Sequence, residues 1–269
     1  EHLIRLLFFG GALIGFSIWE HCRPKRPRKL LRRQRWLANF SLVVVNSLLA
    51  RFLLPITAAA TAVFAESHNF GLFNQGSAYL FPLTFILSLV LLDFLIYLQH
   101  VIFHAVPIFW RFHKVHHIDR EIDVSTGLRF HPVEILLSAL IKCLFVLLLG
   151  APVSAVIAFE IILNASSMFN HGNISLSEAL DAKLRRFIVT PDMHRVHHSI
   201  VVKEYNSNYG FNLAIWDKIF DTYREQPTHG HEAMEIGLRR YREAKDNSLK
   251  ELIQTPFYKD QKNNIKESS

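Results

Sequence analysis

Apolar residues fill five stretches of the chain, 3–19, 37–65, 79–104, 133–149 and 153–169, and polar residues collect between them and beyond 172. Apolar runs of this length with few charges predict membrane-spanning helices. The 37–65 run exceeds the ~20 residues that cross a bilayer, so it tilts or bends, and Pro55 is the expected bend. "GAP" at 150–152 turns the last two runs into a helical hairpin. Residues 67–78 read as a polar loop, 105–132 as a mixed polar stretch, and the last forty as a cytosolic tail. The pattern predicts an all-α fold, an integral membrane helical bundle with a cytosolic, histidine-rich helical cap. Three segments follow: N-terminal transmembrane helices with a basic loop (1–92), a histidine-rich segment that includes the hairpin (93–223), and a polar tail (224–269).

Composition agrees, since half of the 269 residues are apolar and 22 are Phe. The net charge of +7 is concentrated: "CRPKRPRKLLRRQRW" (22–36) holds eight Lys or Arg and no acid. Beside apolar runs this predicts a cytoplasmic loop obeying the positive-inside rule and touching anionic headgroups, in preference to nucleic-acid binding. With that loop inside, the next span runs out and 79–104 returns, so the polar histidine-bearing segments share the cytoplasmic side. Two cysteines, Cys22 and Cys143, are too few for a zinc ribbon or a disulfide framework. The chain opens on Glu1, so a native start ahead of it is expected.

"HKVHH" (113–117) and "HRVHH" (194–198) repeat one pattern about eighty residues apart. On a helix, positions i, i+3 and i+4 share a face. His113, His116 and His117 therefore form one trio, and His194, His197 and His198 another. His100 and His104 add an i, i+4 pair at the end of a span, and His171 ends the second arm of the hairpin. Imidazole suits iron, zinc, copper or nickel, and eight or nine rings imply two metal ions. His2, His21, His68, His229 and His231 stand outside these sets and read as structural. The chain lacks HExxH, and no Glu-x-x-His of the soluble di-iron bundles occurs. A membrane zinc-dependent lipid hydrolase is the alternative enzyme reading. A metal-transporting or metal-storing membrane protein is the non-enzyme reading, disfavoured because the histidines gather at one face rather than along the spans.

"DFLIYLQHVIFH", "FHKVHH", "RFHPVE", "MFNHGN", "TPDMHRVHH" and "NYGFNLAIWDKIFDTY" resemble the fatty acid hydroxylase (sterol desaturase) superfamily, over about Asp93–Tyr223. The resemblance implies a membrane enzyme that uses two histidine-bound iron ions and O₂ to hydroxylate or desaturate a lipid such as a sterol or fatty acyl chain. It implies His100, His104, His113, His116, His117, His194, His197 and His198 as ligands, with His171 joining them. Zinc could replace iron in a purified protein. No nucleotide or haem signature occurs, so electrons are expected from a separate protein, a ferredoxin or a cytochrome with its reductase. Relatives often carry Gly where this chain has Asp221, which bears on the closing turn.

Asp93, His131 and Asn208 are expected to support the ligands. Asp93 lies seven residues before His100 and could hold a histidine's second N–H; a pair with Arg51 is the other reading. Glu160, Asn164, Ser167 and His171 make one polar stripe in the hairpin. Lys142 and Glu160, about equally far from "GAP", predict a buried ion pair. Trp216, Phe220 and Tyr223 read as aromatic packing at the membrane interface.

Overall fold

A computed structural model describes residues 2–54, 56–75 and 80–258. The bundle contains α1 (His2–Cys22), α2 (Arg32–Leu53), α3 (Ala58–Ser67), α4 (Phe81–Ala105), α6 (Pro132–Leu149) and α7 (Val153–His171), with α5 (Pro107–His117) leading into the cap. The cap continues through α8 (Glu178–Leu184), α9 (Pro191–His197), α10 (Val202–Tyr205), α11 (Ile215–Ile219), α12 (Gly230–Ala233) and α13 (Leu249–Gln254). Among the described residues the only β pairing is three isolated bridges, so the fold is all-α. Five segments are long and apolar enough to cross a membrane: α1, α2 with α3, α4, α6 and α7. Their outer faces expose large apolar side chains such as Leu6, Phe52, Leu83 and Leu144, at 51–78% for the group that includes Phe81. Water would penalise that surface and lipid does not.

The long second run is interrupted as its length requires, with α2 ending at Leu53 and α3 starting at Ala58. Pro55, residues 76–79 of the following loop and the tail beyond Tyr258 lie outside the described residues. The hairpin tip is closed by Gly150, whose φ of +63° provides the left-handed cap of α6. Gly71 packs so closely on this tip that a Cβ there would lie 2.3 Å from the Gly150 nitrogen. Leu92, Ile96, Val146, Val156 and Phe159 form the core where α3, α4, α6 and α7 meet.

One local break makes the cap possible. Pro107 has no N–H and holds Val106 extended, at φ −98° and ψ 117°. The chain therefore leaves α4 at Ala105 and restarts as α5, which carries the first trio back over His100 and His104.

Residues 224–258 pack against the rest of the cap. Ile200 N–H donates to Glu235 O at 2.9 Å, Arg129 donates to Asn247 at 2.8 Å, and Leu252 is buried against Leu42 and Val115. Positions 92 and 93 both lie within α4 (Phe81–Ala105). The basic stretch also makes ion pairs within the protein. Lys25 binds Asp192 at 2.8 Å, Arg28 and Arg32 bind buried Glu20 at 3.0 and 2.7 Å, and Arg35 binds Asp119 at 2.7 Å. The cap buries several carboxylates, and these cations offset them. Arg23, Lys29 and Arg33 stay exposed.

Candidate metal centre

The structure brings all nine singled-out histidines into two adjoining groups. His100, His104, His113, His117 and His197 form one, and His116, His171, His194 and His198 the other, each with one nitrogen per ring within 4.8 Å of the others. α4, α5 and α9 supply the first group; α5, α7 and the end of α9 supply the second. The groups abut through His117 and His198, with ring centroids 4.6 Å apart, and through His194 and His197, 5.1 Å apart. Both trios are split: His113 and His117 go one way, His116 the other, and His197 parts from His194 and His198. Helical spacing places three rings on one face but does not say which ring meets which neighbour.

The outer nitrogens are tied to protein acceptors. The Nδ1 of His100 lies 2.8 Å from Tyr209 O, that of His113 2.7 Å from Glu134, and that of His116 3.2 Å from Arg129 O. The Nδ1 of His171 lies 2.7 Å from Ser167 O, and that of His197 2.7 Å from Ser207 O. A carbonyl or carboxylate partner requires N–H at Nδ1, which leaves the Nε2 lone pair directed inward. The Nε2 atoms of His100, His113, His117 and His197 are buried with no partner among the described residues, as are both ring nitrogens of His104 and His198. His171 Nε2 lies 2.9 Å from His116 Nε2 and 3.0 Å from His194 Nε2.

Lone pairs this close repel unless a cation lies among them. A proton is a poor candidate. Burial first, and then neighbouring imidazoles, push His116, His117, His194 and His198 well below the usual imidazole range. Burial likewise brings His197 to about 3, against the opposing pull of its bond to Ser207. Neutral, buried, inward-facing imidazoles are the donor set a first-row transition metal takes. The residues fit two such ions.

Asp93 does not hold a histidine. Its carboxylate accepts from Asn212 N–H at 3.2 Å, Leu213 N–H at 3.1 Å and Trp216 Nε1–H at 2.8 Å. It thereby anchors the loop after Tyr209 to α4, and the Tyr209 carbonyl holds His100. The Arg51 alternative also gives way to these bonds. His131 caps α6, accepting from Val133 N–H at 3.1 Å, and its Nε2 lies 3.2 Å from Ile253 O. Asn208, at φ +53°, donates to Met193 O and Arg224 O at 2.9 and 2.8 Å and accepts from Arg224 N–H at 2.7 Å. It therefore clamps α9 to the outgoing chain beside Ser207. Sequence spacing aligns Asp93 with the histidine face; the backbone amides of a distant loop claim its oxygens instead.

Three supporting residues escape the sequence reading. Glu134 receives His113, and its place three residues after the His131 cap is the only local signal for it. Asp217 accepts from Tyr209 N–H at 2.7 Å, Gly210 N–H at 2.8 Å and the Thr222 hydroxyl at 2.6 Å. A Cβ on Gly210 would lie 2.6 Å from that carboxylate, so only Gly fits there. Arg129, fully buried, bonds Val115 O at 2.9 Å and Asn247 at 2.8 Å, tying α5 to the segment before α13.

Fold and site together define a multi-pass membrane protein with a buried, histidine-only centre suited to two transition-metal ions. The chain belongs to the fatty acid hydroxylase family, whose model matches residues 85–222, just over half of its length. It is 34% identical over 149 residues to ornithine lipid hydroxylase OlsE of Rhizobium tropici, covering 54% of this chain and 44% of that protein. It is 29% identical over 150 residues to alkylglycerol monooxygenase of Homo sapiens, covering 54% and 32%. A Delta(7)-sterol 5(6)-desaturase of Aspergillus fumigatus is 24% identical over 219 residues, covering 81% and 62%. The chain thus spans less than two thirds of the length of these relatives. No solved structure matches it.

Proposed function

We propose that this protein is a membrane-bound, O₂-dependent lipid hydroxylase or desaturase with two iron ions. One observation carries the reading: a cavity of about 430 Å³ set among the spanning helices reaches three of the nine imidazoles. His100, His113 and His116 line its floor, and Phe9, Ile96, Phe103, Leu128 and Leu163 are among its walls. A chamber with apolar walls and polar groups such as Gln99 and Asn164 would admit a lipid from the bilayer to the edge of the histidine cluster.

His100, His104, His113, His117 and His197 would hold one ion, and His116, His171, His194 and His198 the other. Iron bound there would supply the redox chemistry that couples reduction of O₂ to oxidation of an unactivated C–H bond. For hydroxylation the balance is R–H + O₂ + 2e⁻ + 2H⁺ → R–OH + H₂O; desaturation instead removes two hydrogens from adjacent carbons. The electrons come from a separate donor protein. The chain's own part is to keep the imidazoles neutral, to fix their tautomers through Glu134 and the carbonyls of Tyr209, Arg129, Ser167 and Ser207, and to exclude water from the chamber. The basic loop orients the site toward the cytoplasm. The hydrolase alternative draws no support from the relatives, which are a hydroxylase, monooxygenases and a desaturase.

Cells expressing the wild-type chain should contain a lipid differing by one oxygen or two hydrogens from those expressing His197→Ala, and the purified protein should contain iron and consume O₂. Activity dependent on zinc with no O₂ uptake would overturn the assignment.

A further inference from the structure

A second cavity, of about 290 Å³, lies beside α9, walled by the loop after α1, residues 120–123 and residues 232–242. Seven Arg or Lys line it against four carboxylates. Several of these cations are already paired: Arg35 with Asp119 and Asp123, Arg28 with Glu20, and Arg242 with Glu235. Arg26 and Arg120 are not, among the described residues. Each is held in place by a backbone carbonyl instead, Arg26 by Met234 O at 2.7 Å and Arg120 by Arg242 O. Arg195, fully buried, gives one nitrogen to Asp192 and has Nε and Nη2 with no partner among the described residues. Arg26 Nη1 and Arg120 Nε are buried and unpartnered in the same sense. Glu121, the carboxylate on this wall nearest in sequence to Arg120, has Oε1 occupied by the Lys29 and Leu30 amides, while its Oε2 is buried without a hydrogen-bond partner among the described residues. Burial, and then the charge of Arg195, push Arg26 below its ordinary value against the opposing pull of the Glu121 carboxylate.

Guanidinium groups gathered on one pocket, with buried N–H donors left over after their carbonyl and Asp192 contacts, are costly to bury. A tetrahedral oxyanion relieves that cost by accepting several N–H bonds at once. We propose that this pocket binds a phosphate-type oxyanion, from a phosphomonoester headgroup or from free phosphate, through Arg26, Arg120 and Arg195. Bound there, the anion would join the loop after α1 and the 232–242 segment to α9, the helix that carries His194 and His197.

The test uses the full chain in phosphatidylcholine nanodiscs, its thermal unfolding followed by tryptophan fluorescence against sodium phosphate, with chloride at matched ionic strength. A saturable rise in Tm is expected with phosphate and none with chloride. R26Q/R120Q should need roughly tenfold more phosphate for the same rise above its own Tm in chloride. His197→Ala protein stripped of metal should respond to phosphate as its metal-loaded parent does, which separates this site from the metal centre. If phosphatidic acid in the nanodisc abolishes the response to added phosphate, the headgroup is the source; if the response persists, free phosphate is. An unsaturable response, or one equal in wild type and R26Q/R120Q, overturns the proposal. Should the double variant not fold, R26K serves in its place: it keeps the charge but loses the fork, and a midpoint equal to wild type would equally sink the idea.

Discussion

Glu134 Oε1 lies 2.7 Å from Nδ1 of His113, with both side chains buried. The carboxylate sits in the first turn of α6 and the ring near the end of α5, so one contact joins the hairpin to the cap and sets the tautomer that turns His113 Nε2 inward. Partners of this kind typically contribute 10–100-fold in metal affinity. Glu134→Ala should lower metal affinity by about that factor, and Glu134→Gln by less, because the amide oxygen still accepts from the ring. Metal content after dialysis against a graded chelator measures both. Equal retention in all three proteins would show that the contact does not orient the ligand.

Asp93 is expected to act on stability and only through it on the site. Asp93→Ala strands two backbone N–H groups and the Trp216 indole, a loss of about 3 kcal/mol. Asp93→Asn keeps an acceptor and should retain part of that. Chemical unfolding in detergent separates the two. Metal occupancy should fall alongside stability in Asp93→Ala, since the loop it anchors presents the Tyr209 carbonyl to His100.

Lys142 Nζ lies 2.6 Å from Glu160, which also binds Arg5, so two cations share one carboxylate at the level of the bilayer. Lys142→Met leaves Glu160 with Arg5, whereas Glu160→Gln strips the carboxylate from both cations. Breaking a fully buried pair by removing one partner costs about 3–5 kcal/mol; these side chains are partly buried, so Glu160→Gln should fall below that range and Lys142→Met lower still. Comparative thermal unfolding in nanodiscs checks the order; a larger loss in Lys142→Met would contradict it.

Asp221 occupies φ +55°, the left-handed region that Gly enters freely. The turn nonetheless closes, with Asn208 N–H donating to Thr222 O and Thr222 N–H to Asp217 O, both at 2.8 Å. Asp221→Gly should be neutral or stabilising by up to about 1 kcal/mol, and Asp221→Val destabilising by about 1–2 kcal/mol. A Tm series over the three proteins is sufficient.

Chelation should lower Tm, because it leaves the inward lone pairs facing one another, and added Fe(II) or Zn(II) should restore it where Mg(II) does not. A Tm indifferent to all three ions would mean that the imidazoles are satisfied without metal.

The spans, the hairpin at "GAP" and the Lys142–Glu160 pair follow from apolar run length and distance to a break, which are local properties. So does the presence of two histidine trios, because helical periodicity puts i, i+3 and i+4 on one face. The family is legible for the same reason, since its motifs are short and contiguous. Which cations of the basic stretch pair within the protein is not legible locally, because acceptors such as Asp119 and Asp192 lie far from it in sequence.

Sequence by itself therefore determined that this is a membrane α-bundle carrying nine histidines able to bind metal. Tertiary structure alone decided how those nine divide into five and four, and that Glu134 and the Tyr209 and Ser207 carbonyls orient them while Asp93 and His131 hold backbone. Each of those outcomes is a contact between parts of the chain distant in sequence. Helical spacing says which side a ring faces; only packing says what it finds there.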